Sequence, residues 1–169
     1  MRPPLFGIVG WKNSGKTTLI SKLIAEFSAK GLNVAAIKHA HHGFDIDHEG
    51  RDSFRYRKAG ATTVIVSSAV RLAIMKELRQ ENEPTLPELV SHVGRAGIIL
   101  VEGFKTEAHP KIEVRRAEAV KKTPLYNVAP SVLAVAADFD VGPSAIPVFR
   151  LDDVEAIAAF ILSSTKIAA

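Results

Sequence analysis

The sequence predicts an α/β fold: three layers, with a mostly parallel sheet between helices and an antiparallel hairpin added to it. Three observations predict it. Short apolar, β-prone runs alternate with stretches whose apolar residues recur at helical spacing, the order that builds βαβ units. The first such run, Leu5-Phe6-Gly7-Ile8-Val9, passes through a glycine-rich turn straight into a helical pattern of Leu19, Ile20, Leu23, Ile24 and Phe27. A later run, Ile98-Ile99-Leu100-Val101, is apolar throughout, as a strand covered on both faces must be.

The turn between the first strand and the first helix is Gly10-Trp11-Lys12-Asn13-Ser14-Gly15-Lys16-Thr17, which fits G-x-x-x-x-G-K-[ST] at every fixed position. Gly10 and Gly15 let the backbone approach a ligand without a Cβ in the way. Successive N–H groups then face one concavity, and the helix beginning near Lys16 adds the positive end of its dipole. Lys16 is expected to reach β- and γ-phosphates, and Thr17 to offer its hydroxyl to magnesium. The fold expected is therefore of the P-loop NTPase type, as a single domain over residues 1–169.

Composition narrows the classes. There is no Cys, so no disulfide framework and no thiolate metal site. No apolar run approaches the roughly 18 residues a membrane helix needs. Met1-Arg2-Pro3-Pro4 leads into the first strand without a separate signal segment, so a soluble, cytoplasmic protein is expected. Net charge is +4, and residues 1–60 hold ten Lys/Arg against five Asp/Glu. That excess surrounds the phosphate loop, which needs cations itself. No run interleaves aromatic and basic residues, so nucleic acid is not the expected partner.

The first helix is expected to end near Gly31, and Asn33–Ile37 to form the second strand. The polar stretch from Lys38 to Ser53 follows, with four of the six His of the chain within ten positions. It leaves the C-terminal end of a parallel strand, where open α/β sheets bind ligands. A loop that holds phosphate and substrate fits this position best, with Lys38, His39, His41 and Arg51 as donors and Asp45 or Asp47 holding magnesium or orienting a water. A transition-metal site and a plain solvated loop are the alternatives.

Asp52 or Ser53 is expected to cap a short helix through Ala59, with Arg55, Arg57 and Lys58 on its solvated face. Thr62–Ser67 and Arg71–Met75 read as a hairpin across Ser68-Ala69-Val70. A helix is expected from near Thr85. The apolar strand then ends in Glu102-Gly103, and an acidic residue there lies beside the magnesium site in P-loop proteins. Lys105 is expected to face the same cleft. The alternation Lys111-Ile112-Glu113-Val114-Arg115 suggests a half-exposed strand, with Arg115 and Arg116 read as surface charge in preference to a grip on a phosphate or a partner. Val132–Ala137 reads as a buried strand ending at Asp138, whose carboxylate could accept from guanine N1–H and N2–H₂. Pro147–Phe149 is a last strand, and Asp152 or Asp153 caps the closing helix.

Five further stretches carry a resemblance: Lys38-His39-Ala40-His41-His42, Phe44-Asp45-Ile46-Asp47, Gly50-Arg51-Asp52-Ser53, Arg57-Lys58-Ala59-Gly60-Ala61 and Val101-Glu102-Gly103-Phe104-Lys105. With the phosphate loop, in this order through nearly the whole chain, they resemble the adaptor protein B (MobB) family of molybdopterin-guanine dinucleotide biosynthesis. The resemblance implies a homodimeric GTP-binding protein with magnesium and weak GTPase activity. It also implies association with the guanylyltransferase MobA, which joins GMP to molybdopterin. By position it implies that Gly10, Lys12, Asn13, Ser14, Gly15, Lys16, Thr17, Thr18, His39, His41, Asp45, Arg51 and Asp138 hold the nucleotide. Lys16, Glu102 and Asp47 are the expected catalytic residues, and Thr17 and Glu102 the expected metal contacts. Asp52 and Ser53 complete the second motif. The chain departs in having Arg51 where Lys is usual, and Gly43 where some members have a polar residue. The rival readings are a GTP-dependent metallochaperone using the His-rich loop, a small-molecule kinase, and an interaction module that binds the phosphate of a pterin.

Overall fold

The structure, a computed structural model, describes residues 3–40, 43–119 and 123–167. The chain divides into two compact units, Met1–His39 with Leu89–Ala169, and Ala40–Glu88.

The first unit is built on a six-stranded sheet. Its strands are β1 (Leu5–Val9), β2 (Val34–Lys38), β5 (Ile98–Glu102), β6 (Lys111–Arg115), β7 (Val132–Ala137) and β8 (Val148–Arg150). Their order is β2-β5-β1-β6-β7-β8, and every pairing is parallel. A parallel sheet puts all its strand ends on the same edges, so loops leaving β1, β2, β5, β6 and β7 open on one side.

Helices α1 (Lys16–Ala29) and α4 (Val154–Thr165) cover one face of this sheet. The reason lies in their spacing. Leu19, Ile20, Leu23 and Phe27 form one stripe of α1, and Ile157, Ala158, Ile161 and Leu162 one stripe of α4. Both stripes are buried against Phe6, Ile8, Leu100, Ile112 and Ala134. Phe160 meets Phe6 edge-on, at 6.4 Å between centroids. The helix ends follow the sequence. Gly31 takes φ +80° as α1 terminates, and Leu32 N–H bonds back to Phe27 C=O. Asp153 caps α4 by accepting from Ala156 N–H at 3.1 Å.

β6 corrects the expectation of a half-exposed strand. It lies between β1 and β7, and Lys111 and Glu113 are fully buried. Ile112 and Val114 enter the α1–α4 core, while polar partners from the flanking segments meet the two charged residues. Lys111 Nζ donates to Glu107 C=O, to His109 C=O at 2.9 Å and to Ser131 Oγ at 2.8 Å, so its three protons are matched. Burial brings the Lys111 ammonium down to about 8, against the opposing pull of Glu107. Glu113 Oε2 accepts from the N–H groups of Leu125 and Tyr126, and burial pushes its carboxyl up. The charged positions of this alternation thus mark a protein-lined polar layer instead of water.

The second unit holds α2 (Asp52–Lys58) and the strands β3 (Thr63–Ser67) and β4 (Leu72–Lys76). The hairpin pairs antiparallel as expected, but forms its own two-stranded sheet. Its turn is closed by Ser68, whose N–H donates to Arg71 C=O and whose Oγ accepts from Arg71 N–H. α3 (Leu86–Ser91) starts from a capping box: Glu88 accepts from Thr85 N–H at 2.7 Å, and Thr85 Oγ1 accepts from Glu88 N–H at 3.4 Å. Among the described residues, no helix is long and apolar enough to cross a membrane.

Candidate functional site

The site begins where β1 runs out. Gly10 has φ +154°, and a Cβ there would lie 2.5 Å from both Ser14 Oγ and Val114 C=O. No side chain fits, so the first glycine is dictated by close approach. The loop turns through Asn13 at φ +64°, a conformation Asn tolerates, and Ser14 N–H closes it onto Trp11 C=O at 3.2 Å. Gly15, at φ +93°, is the N-cap of α1. Leu19 N–H makes the first intrahelical bond, to Gly15 C=O, which leaves the N–H groups of Lys16, Thr17 and Thr18 outside the helical ladder. Lys12 and Asn13 are exposed at the tip, while Ser14 is buried, with no hydrogen-bond partner for its hydroxyl among the described residues.

Lys16 folds back over this loop, and its Nζ donates to Trp11 C=O at 2.8 Å. Burial lowers the Lys16 ammonium from its ordinary value. Glu102 opposes that shift, and the positive charges of Lys105 and Lys38 reinforce it. The concavity is therefore rich in cations held close together.

The pairing β2-β5-β1 brings in the opposite wall. Glu102, the last residue of β5, sits level with Ile8 of β1 and Lys38 of β2. Thr17 Oγ1 approaches its carboxylate at 3.3 and 3.4 Å, and Lys38 Nζ stands 3.6 Å from Oε2. These are long contacts for a hydroxyl–carboxylate pair, which closes to about 2.7 Å when fully formed. After Glu102 the chain takes two left-handed residues, Gly103 at φ +94° and Phe104 at φ +49°. This turn stacks Phe104 on His39, with 4.8 Å between ring centroids. It also sets Lys105 Nζ 4.4 Å over the Trp11 ring. His39, Lys105 and the phosphate loop thus share one end of the sheet.

A cleft of about 680 Å³ opens on the other side of the loop. Gly15, Thr18 and Lys22 line it from the loop and α1, and Arg116, Asp138 and Leu151 from the ends of β6, β7 and β8. Asp138 accepts from Ala117 N–H at 2.8 Å and from Arg116 Nε at 3.2 Å, and these bonds, the backbone one first, hold its carboxyl below the usual carboxylate range. Arg116 is exposed, as the surface-charge reading expects, and its Nε is also tied to Asp138 in this wall.

The remaining expected residues belong to the second unit. Arg57 gathers them: its Nη1 donates to Asp45 at 2.9 Å and to Asp47 at 3.3 Å, and its Nε to Glu77 at 2.6 Å. Arg57 was expected on a solvated face and instead centres this cluster, because three carboxylates converge on it. The Arg57 guanidinium holds the Asp45 carboxyl down at about 2. The expected cap of α2 is also corrected. Arg51 is the N-cap and no side chain caps the helix; Ser53 Oγ donates to Asp47 at 2.9 Å instead, and Asp52 lies in the first turn. Arg51 is exposed. His41 lies outside the described residues. Among the described residues, no three His, Asp or Glu side chains converge as a metal site would.

Comparison with known proteins adds a sequence and a structural likeness. The family described as "Molybdopterin guanine dinucleotide synthesis protein B" matches residues 5–138. The molybdopterin-guanine dinucleotide biosynthesis adapter protein of Escherichia coli is 38% identical over 161 residues, 94% of this chain and 91% of the relative. The protein of that name from Haemophilus influenzae is 43% identical over 80% of this chain and 75% of its own length. Among solved structures, Bacillus subtilis MobB superposes with a TM-score of 0.73 at 28% identity, covering 96% of this chain and 98% of that one. A crystal structure of molybdopterin-guanine biosynthesis protein B superposes at 0.72 with 30% identity, over 95% of this chain and 99% of that one.

Proposed function

Because the chain belongs to the family of molybdopterin-guanine dinucleotide synthesis protein B, we propose that it is a GTP-binding adaptor with weak GTPase activity, serving attachment of GMP to molybdopterin by the guanylyltransferase MobA. The observation that carries the nucleotide reading is the position of Lys16. Its ammonium is drawn over the loop onto Trp11 C=O, with Thr17 and Glu102 facing each other beside it. A phosphate chain lying along the loop would meet this lysine, and burial makes a bound anion welcome to it.

The residues fit the group. The cradle at Gly10 excludes any Cβ, the buried Ser14 hydroxyl awaits a partner, and three lysines stand around the concavity. Backbone N–H groups of residues 15–18 and Lys16 would hold the phosphates, with Thr17 and Glu102 holding magnesium directly or through water. Magnesium, when bound, would neutralise part of the phosphate charge. Lys38 stands beside Glu102, and Lys105 lies over the Trp11 ring.

The hairpin supports a homodimer. Ile65 faces Ile74 across β3 and β4, Leu72 lies on the same face, and all three are about 60% exposed. An apolar sheet face of this kind on an otherwise charged protein suits a second copy of itself.

The adaptor reading is tested by reconstitution. Purified MobA, molybdopterin and GTP are assayed for guanine dinucleotide formation with and without this protein. A several-fold stimulation that Lys16→Ala removes is the expected result; no stimulation at any stoichiometry would overturn the adaptor reading.

A further inference from the structure

The cleft beside Gly15 has a feature that the phosphate loop does not account for. A Cβ at Gly15 would lie 3.3 Å from Arg116 Cδ and 3.7 Å from Leu151 Cδ2, so the two side chains flank the same point of the loop. Arg116 is not a loose surface arginine. Its Nε is held by Asp138, and Asp138 is itself fixed by Ala117 N–H. The bond at Nε leaves the outer guanidinium nitrogens beyond the clamp, in the wall of a cleft of about 680 Å³.

We infer that the base of the bound nucleotide enters this cleft and stacks on the guanidinium plane of Arg116, with Asp138 acting as the positioning residue that holds the plane in place. The inference rests on the nucleotide reading above and goes beyond it. A guanidinium is planar, delocalised and weakly hydrated, and it attracts the π-face of a flat heterocycle. The apolar Leu151, close to the same point beside Gly15, suits the same kind of group. Gly15 is the junction: it carries the first turn of the phosphate-binding helix and also the floor between Arg116 and Leu151. A ligand with phosphates on one side of Gly15 and a planar ring on the other is a nucleotide. In this arrangement Asp138 spends one acceptor site of each oxygen on Ala117 and Arg116, and its part is to hold the Arg116 guanidinium.

The test separates base from phosphate. Binding of GTP and of inorganic tripolyphosphate, each with magnesium, is measured by calorimetry for the wild type, Arg116→Ala, Arg116→Lys, Asp138→Ala and the double variant. The wild type is expected to bind GTP more tightly than tripolyphosphate. Arg116→Ala is expected to weaken GTP about tenfold, the scale of one stacked cation, while leaving tripolyphosphate unchanged, which also shows that the variant is folded. Arg116→Lys should lose as much, since a point charge has no plane. Asp138→Ala should weaken GTP by less, and the double variant should be no worse than Arg116→Ala alone.

Equal loss of both ligands in Arg116→Ala would make it a phosphate contact and overturn the inference. So would full affinity for GTP in Arg116→Ala or in Arg116→Lys. A double variant clearly worse than Arg116→Ala would show Asp138 touching the base itself and overturn its positioning role. A wild type that binds neither ligand would overturn the nucleotide reading, and this inference with it.

Discussion

Thr17 Oγ1 stands 3.3 Å from Glu102 Oε2, joining the first turn of α1 to the end of β5. The two residues are 85 positions apart, and the parallel pairing of β5 with β1 is what brings them together. A hydroxyl and a carboxylate at this spacing, beside a lysine over a phosphate loop, make a pair of oxygen donors suited to a hard cation.

Thr17→Val keeps the shape of the side chain and removes the donor. GTP affinity measured without magnesium should change less than about threefold, while the gain on adding magnesium should fall by about tenfold or more. Glu102→Gln should slow single-turnover hydrolysis by about 10- to 100-fold, the span expected for a positioned acid or base, with a smaller change in affinity. A magnesium response in Thr17→Val equal to the wild type would remove Thr17 from the metal.

His109 makes the acid limb of stability partly predictable. Its ring nitrogens are buried without a partner among the described residues, and its ring lies over Gly7, where a Cβ would sit 2.5 Å from Nε2. Burial, reinforced by the charge of Lys111, pulls the imidazole from 6.5 down to about 4. As pH falls through 6.5 the unfolded chain takes up the proton first, while the folded chain resists until about 4. Stability should therefore drop across that window, by up to about 3–4 kcal/mol from this residue. Denaturant melts at pH 7, 5.5 and 4.5 check it: His109→Leu should show a shallower fall than the wild type, and parallel curves would deny His109 the effect.

The hairpin face is open to a direct test in solution. Ile74→Glu puts a charge in the middle of the Ile65–Leu72–Ile74 surface without touching the sheet ladder. Burial of a carboxylate in an apolar contact costs several kcal/mol, more than enough to dissociate a modest dimer. Sedimentation velocity should show the wild type as a dimer and the variant as a monomer with unchanged circular dichroism. A dimer of the same strength in Ile74→Glu would place the contact elsewhere.

Much of this architecture is legible in the sequence, and the gaps have physical causes. β1, the phosphate loop and α1 are readable because pattern, glycine placement and helical period agree over consecutive residues. The same is true of Asp153 and α4, where an acceptor stands directly before an apolar stripe. β6 is misread because alternation reports only that one face is polar, and the polar face here is lined by Glu107, His109 and Ser131 instead of water. α2 is misread because Ser53 spends its hydroxyl on Asp47, a partner six residues away that a capping rule does not consider. Arg57 looks like surface charge for the same reason: a local reading does not contain Glu77, which comes from another element.

Binding of guanine nucleotide at the loop around Lys16 underlies every role proposed for this chain. The most direct measurement is a calorimetric titration of the wild type and of Lys16→Ala with GTP and with ATP, in the presence of magnesium. A single site for GTP is expected, and Lys16→Ala should weaken it by at least about a hundredfold, as loss of a charge-assisted phosphate contact should. Tight binding that survives Lys16→Ala, or no binding of GTP by the wild type, would contradict it.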